Sequence, residues 1–275
     1  MIGIQQGSEE QAARNTRLLA QSRYLGSSIA SDVLPFRIDL NGDSLSADQV
    51  GTHEALSIQA ARTAIRALGS LARINVVDHL GGGLDLIPPL LLTLAVTDYD
   101  KVEYTIEHAH TSIGYYAALA AFGFIDAGEV VEGFRRGLDI PGHVSWLPGG
   151  TQLNGGRLGV MIPAAVGQAL GKRAVYGEGS WVITHCGDAG WISGQALDGF
   201  NGAEVLGAPI TFVMHRNGIQ LSGSTRSIMD KDPRSIIEAL GVPVIEIPTL
   251  HDDAALYQAY RQAYALAREG RPSLI

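Results

Sequence analysis

The sequence has a single cysteine, Cys186, in 275 residues, so no internal disulfide can form and packing alone has to hold the fold. A lone thiol at the end of an apolar run reads as a buried structural group, and the shortage of cysteine favours a reducing, cytoplasmic setting. Basic residues are scarce too: 20 Lys and Arg against 28 Asp and Glu leave a formal charge of −8 and a pI near 5.4. That field repels nucleic acid and anionic membranes, so neither is an expected partner, and a phosphate ligand has to be met through a cation. No apolar run reaches the length of a membrane span; residues 84–96 come nearest and are interrupted by Asp85 and two prolines. The start, Met1-Ile-Gly-Ile-Gln-Gln-Gly-Ser, lacks the charged region and apolar core of a secretion signal. Repeats, low-complexity tracts, Cys/His zinc spacings, a Gly-x-x-x-x-Gly-Lys phosphate loop and a Gly-x-Gly-x-x-Gly dinucleotide turn are all missing, which removes the commonest nucleotide-binding and zinc-binding readings.

What is present suits one large α/β domain with an extension, at 46% hydrophobic content. Residues 1–52 read as a polar arm, with a helix over 9–24 and an extended segment and turn over 35–42; residues 53–275 read as the domain. Its centre is a strand over 181–186, a glycine turn over 187–190, a helix over 193–206 and a second strand over 210–214. This is a βαβ unit of a parallel sheet, whose strands end on the same edge. Asp188 and Asn217, 29 residues apart (217 − 188), therefore converge where ligands bind. Two hard oxygen donors, with a carbonyl from the turn at Ile219, suit Mg²⁺, which leaves part of its shell to substrate phosphates. Taken singly, Asp188 also reads as a helix cap and Asn217 as a residue tolerant of a left-handed turn; together at two strand ends they favour the metal.

Other segments carry candidate chemistry. Helix 53–71 leads to His79 and the run Gly81-Gly82-Gly83, where the backbone can approach a ligand closely. A strand from Glu103 runs through His108-Ala109-His110 into a helix, and His143 precedes the glycine-rich stretch 149–159. Beyond these, the pattern predicts helices over 158–173, 234–240 and 252–268, strands over 242–247 and from 272, and a polar loop over 222–233.

Gly187-Asp188-Ala189 followed by Asn217 resembles the Gly-Asp-Gly to Asn signature of thiamin diphosphate enzymes, and Arg216-Asn-Gly-Ile-Gln-Leu-Ser-Gly223 is similar to the corresponding turn of the transketolase family. The blocks at His79, His110 and Pro141-Gly-His143 follow in that family's order, so the resemblance runs from about residue 53 to 275. It implies a three-layer αβα fold with a mostly parallel sheet, the thiamin diphosphate-binding fold. It further implies thiamin diphosphate with Mg²⁺ or Ca²⁺, the metal held by Asp188, Asn217 and the Ile219 carbonyl, and the cofactor lined by Gly156, Leu158, Gly187, Asp188, Ala189 and Asn217. His79, His110 and His143 would orient ketose hydroxyls and move protons. Departures are Ala109 and Ala189 for glycines, Arg157 at a usually small position, Val160 and Met161 for Gln and Gly, and His108, which has no counterpart.

In this family a second domain binds the aminopyrimidine and supplies the activating glutamate. The resemblance therefore implies half a catalytic site: the N-terminal subunit of a split, heterotetrameric α₂β₂ transferase, inactive without a pyrimidine-domain partner, moving a two-carbon ketol unit between small sugar substrates. The alternative is a pyruvate dehydrogenase E1-like subunit that passes the unit to a lipoyl or acyl-carrier protein.

Overall fold

Apolar residues of both parities along Trp181–Gly187 require helices on both faces of that strand. The computed structural model describes residues 37–76, 78–151, 153–220 and 223–275 and places Trp181 and Ile183 in one apolar core, Val182 and Cys186 in another. In chain order the elements are helices α1 (Ala47–Ala72) and α2 (Gly83–Val96), strand β1 (Val102–Ile106), helices α3 (Ser112–Ala121), α4 (Ala127–Gly133) and α5 (Met161–Tyr176), strand β2 (Trp181–Gly187), helix α6 (Gly194–Val205), strand β3 (Ile210–His215), a hairpin of β4 (Ile219–Gln220) and β5 (Gly223–Ser224), helices α7 (Pro233–Ala239) and α8 (Asp253–Arg268), and β6 (Ser273–Leu274). Four strands pair in parallel in the order β1-β2-β3-β6. Helices α1, α2, α3 and α8 contribute to the first core, α5, α6 and α7 to the second, which makes the expected three-layer αβα fold. Cys186 is fully buried, as a structural thiol should be. No helix among the described residues is long and apolar enough to cross a membrane.

The predicted helix over 9–24 lies outside the described residues. Helix α1 begins at Ala47, six residues before its predicted start, because Ser46 and Gln49 form a reciprocal capping box. The segment 242–247 makes only a single bridge, Val244 to Leu274, since Pro243 has no N–H to extend a ladder. The polar loop after Asn217 contains the β4–β5 hairpin and a 3₁₀ turn, Thr225–Ser227. In the run Gly81-Gly82-Gly83, Gly81 is exposed, whereas Gly83 packs backbone to backbone against Gly114 at the start of α3, so closely that a Cβ on Gly114 would overlap the Gly83 carbonyl.

Register and alternation together build a row of histidines inside the first core. Ile106 lies level with His185, and Gly187 with His215, so His108, two residues on, reaches the level of His215. The His108 and His215 rings stack with centroids 5.0 Å apart, and His215 stacks on His185 at 5.4 Å. His185 Nδ1 lies 3.1 Å from His215 Nε2, and its Nε2 lies 2.9 Å from Thr93 Oγ1, which in turn contacts the Tyr260 hydroxyl at 2.8 Å. Both ring nitrogens of His108 and Nδ1 of His215 have no hydrogen-bond partner among the described residues. Burial pushes all three imidazoles well down, His215 to about 4, so they are neutral at pH 7.

Two measurements check this packing. Gly114→Ala should cost about 1–3 kcal/mol of unfolding free energy through overpacking, whereas Gly171→Ala in α5, where nothing lies within 4 Å, should be neutral or gain about 0.5–1 kcal/mol. The histidines give a pH signature. The unfolded chain protonates them near pH 6.5 and the folded chain only far lower, so the unfolded state binds more protons in between and stability falls as pH drops below about 6.5. Glu107, pushed up to about 7, has the opposite slope below that value, but one acid stands against three bases. Urea unfolding should therefore show lower stability at about pH 5 than at about pH 7, and His215→Asn should narrow that gap; an unchanged gap would place the acid sensitivity elsewhere.

Candidate active site

The ends of β2 and β3 bring Asp188 and Asn217 into one turn cluster. Asp188 Oδ2 accepts from the Gly218 N–H at 2.8 Å, and Asn217 Oδ1 accepts from the Ile219 N–H at 2.9 Å. The capping alternatives fall away here. Ser193, not Asp188, caps α6 through the Ala196 N–H, and the left-handed position is Gly218, at φ 74°, rather than Asn217. Burial raises the Asp188 pKa, opposed by the Gly218 N–H and Arg216 and reinforced by Asp85. Asp85, in the first turn of α2, accepts from Asn217 Nδ2 at 3.3 Å. That contact turns the carboxamide nitrogen away from Asp188 and leaves Asn217 Oδ1 on the turn side. Clefts of ≈ 470 and ≈ 580 Å³ flank the cluster, both bordered by Arg216 and Asn217.

No group of three or more His, Cys, Asp or Glu side chains among the described residues is placed to hold a metal. The donor set is one carboxylate, one carboxamide and the Ile219 main chain in the same turn. Such a set fits a hard cation only when phosphate oxygens complete the shell.

The glycine loop 155–159 is tied to the end of β1: Gly155 N–H donates to Ile106 O at 3.0 Å, and Asn154 bridges Ile106. Gly156 has open space about its Cα and Leu158 is exposed. Gly159 (φ 85°) packs on Ser193 and Gly190, which draws the loop onto the turn that holds Asp188 and Ala189. Between loop and turn lies Glu107, a residue that sequence reasoning assigned no role. It is fully buried, its Oε1 accepts from the Gly159 N–H, and its Oε2 has no partner among the described residues. Burial pushes its carboxyl up to about 7 against the main-chain hydrogen bonds at Gly159 and Gly187. Strand alternation from Val102 was the available signal, since it turns Glu107 inward from the end of a buried strand.

His79, His110 and His143 are all exposed and share one mouth. His79 and His110 have ring centroids 6.4 Å apart, and His110 packs edge-on against His108 at 5.9 Å. Partial burial lowers the His110 pKa, with smaller contributions from His79 and His143. The loops are braced: Tyr116 donates to the His143 carbonyl at 2.7 Å, and Arg135 pairs with Asp78 at 2.8 Å beside His79.

Comparisons with known proteins bear on the fold and the family. The family model described as "Dehydrogenase E1 component" matches residues 151–275. The Actinobacillus succinogenes protein named as one subunit of apulose-4-phosphate transketolase is 31% identical over 157 residues, 52% of this chain and 52% of that protein. Transketolase 2 from Saccharomyces cerevisiae is 26% identical over 188 residues, 64% of this chain and 27% of that protein. Among solved structures, transketolase from Leishmania mexicana superposes with a TM-score of 0.61 at 24% identity, covering 80% of this chain and 36% of that one. A Pichia stipitis transketolase gives 0.66 at 20%, covering 82% and 35%; these superpositions establish the fold. The chain thus spans about half of one curated relative and about a quarter of the other. Residues 151–275 match the Dehydrogenase E1 component family, and the chain as a whole shares the fold of the transketolases and is similar in sequence to part of two of them.

Proposed function

We propose that this chain, through residues 53–275, is the diphosphate-binding subunit of a split transketolase-like transferase that moves a two-carbon ketol unit from a ketose or ketose phosphate to an acceptor, with residues 1–52 as an accessory arm. The observation that carries the reading is the meeting of Asp188 and Asn217 at adjacent strand ends, beside Gly187 and under the loop of Gly156 and Leu158. Asp188, Asn217 and the Ile219 carbonyl hold Mg²⁺ (or Ca²⁺), and Gly187 and Ala189 admit the diphosphate. When bound, the cofactor supplies the electron sink for breaking and forming a carbon–carbon bond. His110, kept neutral by its partial burial, accepts or returns a proton at a ring nitrogen; His79 and His143 orient sugar hydroxyls at the same mouth.

Apolar surface supports a pyrimidine-domain partner, in an α₂β₂ assembly. Leu158, Val160, Ile219 and Ile228 are exposed around the crevice, and a covering subunit would remove them from water. Gly83 is buried and adds nothing to this surface. The relative from Actinobacillus succinogenes is itself named as one subunit of its transketolase. A second reading, an E1-like subunit serving a lipoyl or acyl-carrier protein, draws on the E1 family model over 151–275.

Asp188→Ala should abolish Mg²⁺-dependent thiamin diphosphate binding in calorimetry, because a small ion loses its only charged protein ligand; unchanged affinity would sink the metal assignment. His110→Ala and His143→Ala should keep cofactor affinity and lower turnover, and a loss confined to affinity would put them on the wrong face. Light scattering of the chain mixed with its candidate partner should show a larger species that transfers ketol units, the chain alone being inactive. Transfer to a lipoylated carrier in place of an aldose would select the second reading.

A further inference from the structure

Glu107 is a carboxylic acid with no solvent exposure, set between the two glycine segments of the crevice. Its own N–H donates to His185 O at 2.8 Å, and the Gly155 N–H donates to the preceding carbonyl, so the backbone is fixed on both sides. The side chain points into the layer of α5 and α6, where Oε1 accepts from the Gly159 N–H. A Cβ on Gly190 would lie 2.9 Å from Oε2, and one on Gly155 would lie 2.5 Å from the Glu107 carbonyl. Gly159 in turn has room for no Cβ, which would sit 2.8 Å from the Gly190 carbonyl. Three glycines from two loops therefore close on one residue, and Oε2 meets no donor among the described residues.

The titratable groups around it offer no compensation. On its own segment, His108 faces the opposite core; on β2 stand the thiol Cys186 and, at the turn, Asp188; the glycine loop carries Arg157, which is exposed. An ionised carboxylate held this way would be a fully buried charge with no basic side chain beside it and only the main chain at Gly159 and Gly187 to meet it, which is costly. Burial accordingly pushes the carboxyl up to about 7.

We propose that Glu107 is a positioning residue that buckles loop 155–159 to turn 187–190 as a neutral carboxylic acid, and that seating a diphosphate group in the crevice draws a proton onto it. The coupling rests on the diphosphate-binding reading given above; the buckle does not. A diphosphate keeps a net negative charge after taking up one divalent ion, so seated above the turn it disfavours an ionised Glu107, and by reciprocity an ionised Glu107 disfavours the bound pair. Affinity for a diphosphate then falls as pH rises above about 7, with a limiting slope of about tenfold per pH unit for one proton.

The test uses the full chain, with any subunit that co-purifies, as wild type, Glu107→Gln and Glu107→Ala. Infrared spectra should show a protonated carboxyl band at about pH 6 that is absent in Glu107→Gln and fades by about pH 8.5. Hydrogen exchange should find the Gly159 amide protected in wild type and Glu107→Gln, whose amide oxygen still accepts, and faster in Glu107→Ala. Calorimetry with thiamin diphosphate and with inorganic diphosphate, each with Mg²⁺ and in two buffers of different ionisation enthalpy, should show proton uptake by wild type and less by Glu107→Gln. A carboxylate already ionised at about pH 6, equal proton uptake in both proteins, or an unchanged Gly159 amide in Glu107→Ala would overturn the proposal. Failure of wild type to bind either diphosphate would overturn the coupling together with the functional reading, while infrared and exchange would still decide the buckle.

Discussion

The parallel register of β1, β2 and β3 is the constraint on which the site depends. Because Ile106 pairs with His185 while Gly187 pairs with His215, β1 stops two rungs short of β2 and β3. Glu107 and His108 fill those rungs, one on each face of the sheet. The same register sets Asp188 and Asn217 side by side just beyond it. A slip of one residue in β1 would exchange the faces of Glu107 and His108, burying an imidazole against the glycine loop and a carboxyl in the histidine row. The crevice is therefore specified by strand pairing before any loop contributes.

That edge is costly to build. Glu107 Oε2, both nitrogens of His108 and Nδ1 of His215 are buried without hydrogen-bond partners among the described residues. Leaving a buried polar atom unpaired costs about 1–3 kcal/mol, a substantial fraction of the stability of an ordinary domain. The rest of the molecule offsets this with conventional packing. His53 binds Asp253 and the Pro88 carbonyl at 2.9 Å each, tying α1, α2 and α8 together, and the Gly83–Gly114 contact draws α2 onto α3. Among the described residues, four of the eight buried polar side-chain atoms without partners belong to Glu107, His108 and His215 at the carboxyl edge; the others are on Ser57, Trp146, Gln168 and Asp253.

How much of this was legible in the sequence depends on how local each signal is. The central βαβ unit could be read because its strand runs, glycine turn and helical spacing are written within about forty residues. Asp188 and Asn217 followed directly, as strand-end residues. His79, His110 and His143 came from motif order, and the fold does bring them to one mouth. Glu107, Asp85, His185 and His215 were missed, since each takes its meaning from a neighbour far away in sequence: Glu107 from Gly159, Asp85 from Asn217, and His185 from His215 and Thr93. The triple glycine has the same limit. The close approach of Gly83 is to a second backbone, at Gly114, and no spacing within residues 81–83 could announce that.

Charge balance at the crevice completes the case for a cation. Asp188 and Asp85 both border it, and Glu107 lies beneath. Of the basic residues that border the cleft beside Asp188, Arg216 pairs with Asp232 at 3.2 Å and approaches Glu246 at 3.9 Å, Lys231 pairs with Asp230 at 3.2 Å, and Arg226 is the third. A diphosphate entering alone would meet carboxylates whose repulsion is only partly screened at a half-buried site. On the proposed function, a divalent ion held by Asp188 and Asn217 would reverse the sign of that interaction at Asp188, and Asp85 would hold the Asn217 carboxamide in place. The cation and Arg226, which borders the same cleft, would on that function together receive the diphosphate, and cofactor and cation should then bind cooperatively.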